Sequence, residues 1–239
     1  MAPSSLLSHL GLICIPGMSK SRGKSNGLSA WHLTGRRATI GSKPECCSKY
    51  GDPRGSGHTP VTQVRLLHDD QALAVIFRVE DRYVLARSTA YQLPTHKDSC
   101  VEFFVRPRPD RGYFNFEFNS IGTLLLWYVE KPRGPDGVFE KYTQVPEGIA
   151  NTVEVRASLG QPIREEDPGP VVWTVSTLVP LALFEGFIGP LEALSGRTWR
   201  ANFYKCADDS SHPHWGYWAE IGDRLDFHQP DRFGEIIFE

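Results

Sequence analysis

From Val61 onward apolar and polar positions alternate mostly with a period of two, the spacing of strands whose successive side chains point to opposite faces. Residues 62–67 and 73–79 are β-branched or apolar runs, and His68-Asp69-Asp70-Gln71 between them reads as a hairpin turn. The next strand is expected over 100–105, closed by Arg106-Pro107-Arg108-Pro109-Asp110. Strict alternation follows over 113–119, with Phe114, Phe116 and Phe118 on one face and Tyr113, Asn115, Glu117 and Asn119 on the other. Ile121-Gly122 turns the chain into a strand over 123–129, and further strands are expected at 152–157, 171–178, 199–206 and 235–238. Helix is expected only at 180–187, resuming near Leu191. About nine or ten short strands between Gly/Pro turns predict an all-β protein, an antiparallel sandwich or barrel.

The phenylalanine face of 113–119 must be core, each ring contributing on the order of 2 kcal/mol. The opposite face is chemically distinct, because Tyr, Asn, Glu and Asn are short or planar hydrogen-bonding groups suited to a partly enclosed polar groove. Residues 199–206 repeat the theme, with Trp199, Ala201 and Phe203 inward and Arg200, Asn202 and Tyr204 on the polar side. Asp98 and Glu102 flank and enter the neighbouring strand. Together these groups line one concave face that suits a sugar, whose hydroxyls need paired polar partners and whose C–H faces stack on aromatic rings. An equal alternative is a structural polar network in which Arg200 pairs with Glu102 or Glu117.

Composition narrows this picture. The 239 residues carry 26 basic and 28 acidic side chains, a net charge of -2, with 40% hydrophobic content, which excludes a disordered chain and a nucleic-acid binder acting through bulk positive charge. Charge is uneven: residues 1–60 hold eight basic and two acidic groups, so the rest is net -8. Residues 1–28 read as a flexible basic leader and 29–239 as the folded domain. Within the leader, the apolar run from Leu6 to Pro16 lacks the preceding basic residues and the cleavage site of a signal peptide, so the compartment is not assigned. No run reaches the roughly 18 apolar residues of a membrane span. Five cysteines with no C-x-x-C pair read as thiols rather than a zinc ribbon, and a Cys100 to Cys206 bridge stays open.

Four segments together resemble a known family. They are Asp98-Ser99-Cys100-Val101-Glu102-Phe103-Phe104, Tyr113-Phe114-Asn115-Phe116-Glu117-Phe118-Asn119 with Gly122, Trp199-Arg200-Ala201-Asn202-Phe203-Tyr204, and Phe227-His228-Gln229-Pro230-Asp231-Arg232-Phe233-Gly234. Over 31–239 they are similar to the family 9 carbohydrate-binding modules and to the stand-alone family 9-like proteins of the DOMON-like group. The resemblance implies an antiparallel β-sandwich of jelly-roll type with no catalytic residues of its own, often attached to xylan- or cellulose-degrading enzymes. It puts Glu102 at the position of a sugar-contacting glutamate. The positions of the two clamping tryptophans are Thr95 and Phe227 here, and Glu117 replaces an arginine. Trp127, Trp215 or Trp218 would supply a substitute platform.

The expected ligand-binding set is therefore Glu102, Asn115, Glu117, Asn119, Trp127, Arg200, Asn202, Tyr204, Trp218, Phe227 and His228, with a saccharide as partner and a monomer as the expected state. No cofactor is expected beyond the structural calcium that the resemblance implies, for which Asp81, Asp98, Asp208 and Asp209 are candidates. A glycoside hydrolase is the rival enzyme reading, with a carboxyl pair drawn from Asp98, Glu102 and Glu117. Haem ligation by methionine is not expected, since Met1 and Met18 both lie in the leader. His212-Pro213-His214 is expected to be a surface turn rather than a metal site with His228.

Overall fold

A computed structural model describes residues 54–239 in full, together with the backbone of 36–40, 45–46 and 49–50. The expected leader at 1–28 and the domain boundary after it lie outside the described residues. Among the described residues there are sixteen strands, of which the first eight are β1 (Arg36–Ile40), β2 (Glu45–Cys46), β3 (Lys49–Tyr50), β4 (Val61–His68), β5 (Ala72–Asp81), β6 (Val84–Ala86), β7 (Cys100–Arg106) and β8 (Tyr113–Asn119). The others are β9 (Leu124–Arg133), β10 (Phe139–Gln144), β11 (Glu154–Ala157), β12 (Ile163–Asp167), β13 (Val171–Pro180), β14 (Thr198–Cys206), β15 (Trp215–Tyr217) and β16 (Gly234–Phe238). The described residues also hold two short α-helices, α1 (Glu147–Ala150) and α2 (Leu181–Ile188), and single 3-10 turns at Thr95–Lys97 and Pro230–Arg232. Among the described residues no helix is long and apolar enough to cross a membrane.

All strand pairings are antiparallel, in the order β10-β9-β8-β7-β14-β16-β1-β4-β5-β13-β11, with β2, β3 and β15 added at the side and β6 paired with β12. The array folds back on itself as a β-sandwich, the expected class. Phe203 of β14 meets Phe77 of β5 at 6.2 Å between ring centres, and Phe184 of α2 meets Phe114 of β8 at 5.0 Å. The inner faces of β7, β8 and β14 thus supply Phe103, Phe114, Phe116, Phe118, Ala201 and Phe203 to one core, as their alternation predicts.

Local chemistry sets the connections. Asp69 accepts the amide N–H groups of Gln71 and Ala72 at 2.8 Å each, closing the β4–β5 hairpin. Gly122 takes φ +87° in the turn from β8 to β9, a conformation open to glycine. Helix α2 runs where expected but does not resume at Leu191, because Gly189 at φ +81° and Pro190 end it. Strands β1, β2, β3, β6, β10, β12 and β15 and helix α1 lie outside the expected set; each has six residues or fewer.

One charged network crosses the sandwich. Lys205, fully buried on the inner face of β14, lies 3.3 Å from Asp81 of β5 and donates to His214 Nε2 at 2.7 Å and to the Cys206 carbonyl at 3.0 Å. Asp81 also accepts from His58 at 3.0 Å, from the Trp173 indole at 3.2 Å and from the Arg82 amide. Burial works to raise the Asp81 pKa, but Lys205 and the His58 hydrogen bond outweigh it and hold the group well below the usual carboxylate range. The His212-Pro213-His214 segment is therefore not a plain surface turn. His214 is buried against the lysine, while His212 stacks on Tyr83 at 3.6 Å between ring centres.

Removing one partner of such a pair strands a buried charge. Lys205→Met is expected to cost about 3–5 kcal/mol in urea unfolding, and Lys205→Met combined with Asp81→Asn to recover part of it. Equal stability of the single variant and the wild type would contradict this role.

Burial and the neighbouring Lys205 push His214 down to about 3, and burial and Arg133 push His228 down to about 3. Both rings are neutral when folded, while the unfolded chain takes up protons below about pH 6.5. Stability is therefore expected to be unaffected by these histidines above that pH and to fall progressively as pH drops from about 6.5 towards 3, by up to about 1.4 kcal/mol per pH unit for each ring. Urea titrations at several pH values check this: His214→Gln should flatten the slope by close to one proton, and an unchanged slope would contradict it.

Candidate functional site

The outer face of β7, β8 and β14 carries the residues that alternate with the core phenylalanines. Register sets them in rows across the sheet: Asn202, Phe104, Asn115 and Trp127; then Tyr204, Glu102, Glu117 and Leu125; then Cys206, Cys100 and Asn119. Every residue of β8 is buried, so this face is covered too. The cover is the chain between β15 and β16, which builds a second apolar cluster from Ile221 and Phe233 with Phe104, Tyr113, Val129, Tyr204 and Tyr217. Where the cover stops, the face opens as a cleft of about 550 Å³.

Four sheet strands give the cleft Glu102, Cys206, Glu117, Leu125 and Trp127; the chain before β7 gives Gln92, Pro94 and His96; the covering chain gives Arg224, Leu225, Asp226, Phe227 and His228. Asp208, Trp215, Arg54 and Arg133 complete it. Trp127 is held by an indole N–H donated to Gln92 at 2.8 Å and by stacking on Tyr142 at 4.6 Å. Phe227 stacks on Tyr204 at 4.0 Å, whose hydroxyl donates to the Phe227 carbonyl at 2.9 Å. His228 stands 2.8 Å from the Tyr113 hydroxyl through Nδ1 and meets Phe139 edge-on. Trp215 donates to Asp208 at 2.7 Å.

Two carboxyl groups lie on adjacent strands in this cleft. Glu117 accepts from Asn115 at 2.9 Å and from Thr95 and His96 at 3.4 Å each. The hydrogen bond to Glu117 raises the His96 pKa against the opposing effect of burial. Glu102 accepts the Cys206 thiol through Oε1 at 3.2 Å, while its buried Oε2 has no partner. Burial, with the Cys206 thiol and the Glu117 carboxyl beside it, pushes the Glu102 carboxyl well above the usual carboxylate range. Planar aromatic surfaces beside such donors and acceptors match the two faces of a sugar ring.

The structure brings Glu102, Glu117, Trp127, Phe227 and His228 of the expected ligand set together, with Trp215 beside them. The others lie elsewhere. Asn115 and Tyr204 are one layer behind, orienting Glu117 and Phe227. Asn119 donates to Asp98 at 2.9 Å and to the Ser88 carbonyl, so its amide is used in a buried turn. Asn202 pairs with both backbone groups of Ala219 and so fastens the start of the cover. Arg200 forms an exposed pair with Glu235 at 3.2 Å, not with Glu102 or Glu117, because it lies at the far end of β14. Trp218 packs on Phe203 in the core, against Gly234, where a Cβ would stand 2.4 Å from the indole. The sequence reading missed Gln92, Pro94, His96, Leu125, Cys206, Arg54, Arg133 and 224–226, most of which sit in irregular segments without periodicity.

The four aspartates suggested for calcium do not converge. Asp81 faces Lys205 and His58, Asp98 accepts from the Arg87 and Ser88 amides and Asn119, Asp208 holds Trp215, and Asp209 lies 3.8 Å from Lys97. Cations, amides and an indole occupy these oxygens, so the set does not fit the shell of six to eight oxygens that calcium requires.

Residues 52–238 match the model of carbohydrate-binding family 9. A Bacteroides uniformis protein assigned as carbohydrate-binding is 30% identical, with a TM-score of 0.67 over 76% of this chain and 79% of that one. A family 9 carbohydrate-binding module of Caldicellulosiruptor kristjanssonii in complex with glucose is 16% identical, with a TM-score of 0.48 over 78% of this chain and 82% of that one; its complex with cellotriose gives the same identity and score. None of the curated proteins matches the chain. The match over most of the chain, on a β-sandwich with an aromatic and carboxyl-lined cleft, means that the chain belongs to carbohydrate-binding family 9.

Proposed function

We propose that the cleft binds a neutral saccharide of the xylan or cellulose type without chemical change, holding it during the breakdown of such polymers. The observation that carries this reading is the juxtaposition of Trp127 and Phe227 with the partnerless Oε2 of Glu102 in one cleft. An unpaired buried acceptor is costly, and a sugar hydroxyl would satisfy it. The aromatic rings would take the C–H faces, and Glu117, His96 and Gln92 would take further hydroxyls. Net acidity of the folded part disfavours an anionic polymer.

Calorimetry against glucose, cello-oligosaccharides and xylo-oligosaccharides tests the proposal. Trp127→Ala and Glu102→Ala are each expected to weaken binding by about 1–3 kcal/mol, or roughly 5-fold to 150-fold, with no release of new reducing ends by the wild type. Unchanged affinity in both variants would place the sugar elsewhere, and no affinity in the wild type would point to an interaction domain that keeps the fold alone.

A further inference from the structure

At the floor of the cleft, beside Glu102, lies a pair of thiols that sugar binding does not explain. Cys100 of β7 and Cys206 of β14 are direct register partners, and Glu102 follows Cys100 on the same face. The two Sγ atoms and a Glu102 carboxyl oxygen all lie within 4.8 Å of one another, and all three residues are buried. Both thiols are free. Among the described residues this is the one group of three or more such side chains so gathered.

We propose that Cys100, Cys206 and Glu102 form a binding site for a thiophilic divalent cation of the zinc class. Two sulfurs and a carboxylate oxygen are three donors of a tetrahedral zinc-type set, and they favour such a cation over calcium or magnesium, which take oxygen donors. Glu102 Oε2 supplies an independent sign: it is a buried acceptor without a partner on a side chain that already touches Cys206. Glu102 and Cys206 also line the cleft, so the cation has an entry path and its fourth position faces solvent or a bound hydroxyl.

Binding releases the protons of the two thiols to solvent as two metal–sulfur bonds form, and a Glu102 carboxylate oxygen supplies the metal–oxygen bond. The three anionic donors leave one net negative charge on the assembly. The site does not depend on the sugar reading, and its test reads sulfur chemistry instead.

The test uses the full chain with Cys14, Cys46 and Cys47 changed to Ser, kept reduced and titrated with cadmium as a spectroscopic substitute for zinc, then with zinc in competition. A thiolate-to-cadmium absorption band saturating near one cation per chain is expected, and zinc should displace the cadmium. Cys100→Ser and Cys206→Ser in that background should each weaken binding about tenfold or more and diminish the band. Glu102→Gln, close in shape and volume, should keep the band while weakening affinity about tenfold. Absence of the band in the parent overturns the site, as does unchanged affinity when Cys206 is replaced; unchanged affinity in Glu102→Gln removes the carboxyl from it. Near-ultraviolet circular dichroism identifies variants that keep the fold. Should a serine variant unfold, the parent titration and Glu102→Gln still decide the matter.

Discussion

The middle of the β7–β8–β14 sheet is buried on both faces, and this constraint shapes everything around it. A strand with one wet face can leave its polar side chains to water; β8 cannot, because every residue from Tyr113 to Asn119 is buried. The inner face answers with phenylalanines. The outer face must answer with hydrogen bonds made within the protein, and each one recruits a piece of covering chain. Asn202 takes both backbone groups of Ala219, Tyr204 takes the Phe227 carbonyl, and Tyr113 meets His228. The cover is thus held by the polar atoms it protects, and the cleft is the part of the face it leaves open.

The second tie runs through the sandwich. Lys205 alternates with Tyr204 and Cys206, so placing it in the core aims those two outward, one beneath Phe227 and one beside Glu102. Asp81 neutralises the lysine from the facing layer, and His214 accepts from it as a neutral ring. Registering β14 against β5 in this way also fixes the floor of the cleft relative to the core. A hydrophobic pair of equal volume could pack there, but it would lack this directional pairing across the two layers.

The alternation in 113–119 was legible from the sequence to the residue, because a period of two with three phenylalanines has one structural solution. The sharing of one face by Glu102 and Glu117 follows from the same logic. What alternation could not separate is a polar side chain facing a ligand from one facing a cover: Asn119 and Asn202 have the right side and the wrong neighbour. Trp218 turned inward because Gly234 offers it a surface free of side chain, a pairing of positions 16 residues apart in sequence that leaves no local pattern. His214 was misread for a similar reason, since its partner Lys205 is on another element. The loops bearing Gln92, His96 and Asp226 have no periodicity at all, so only the fold brings them to the cleft.

Glu102 stands where these strands of argument meet. Its Oε1 turns to the Cys206 thiol and its Oε2 is partnerless, so one carboxyl group serves both the cleft and the sulfur pair beside it. A sugar hydroxyl and a cation of the kinds proposed would both draw on this one carboxyl group, so their affinities would be coupled. Whatever factor the cation imposed on the sugar, the sugar would impose on the cation, because the coupling is a single free energy. The double burial of the sheet is what would make this coupling consequential, since Oε2 has no other partner among the described residues to fall back on.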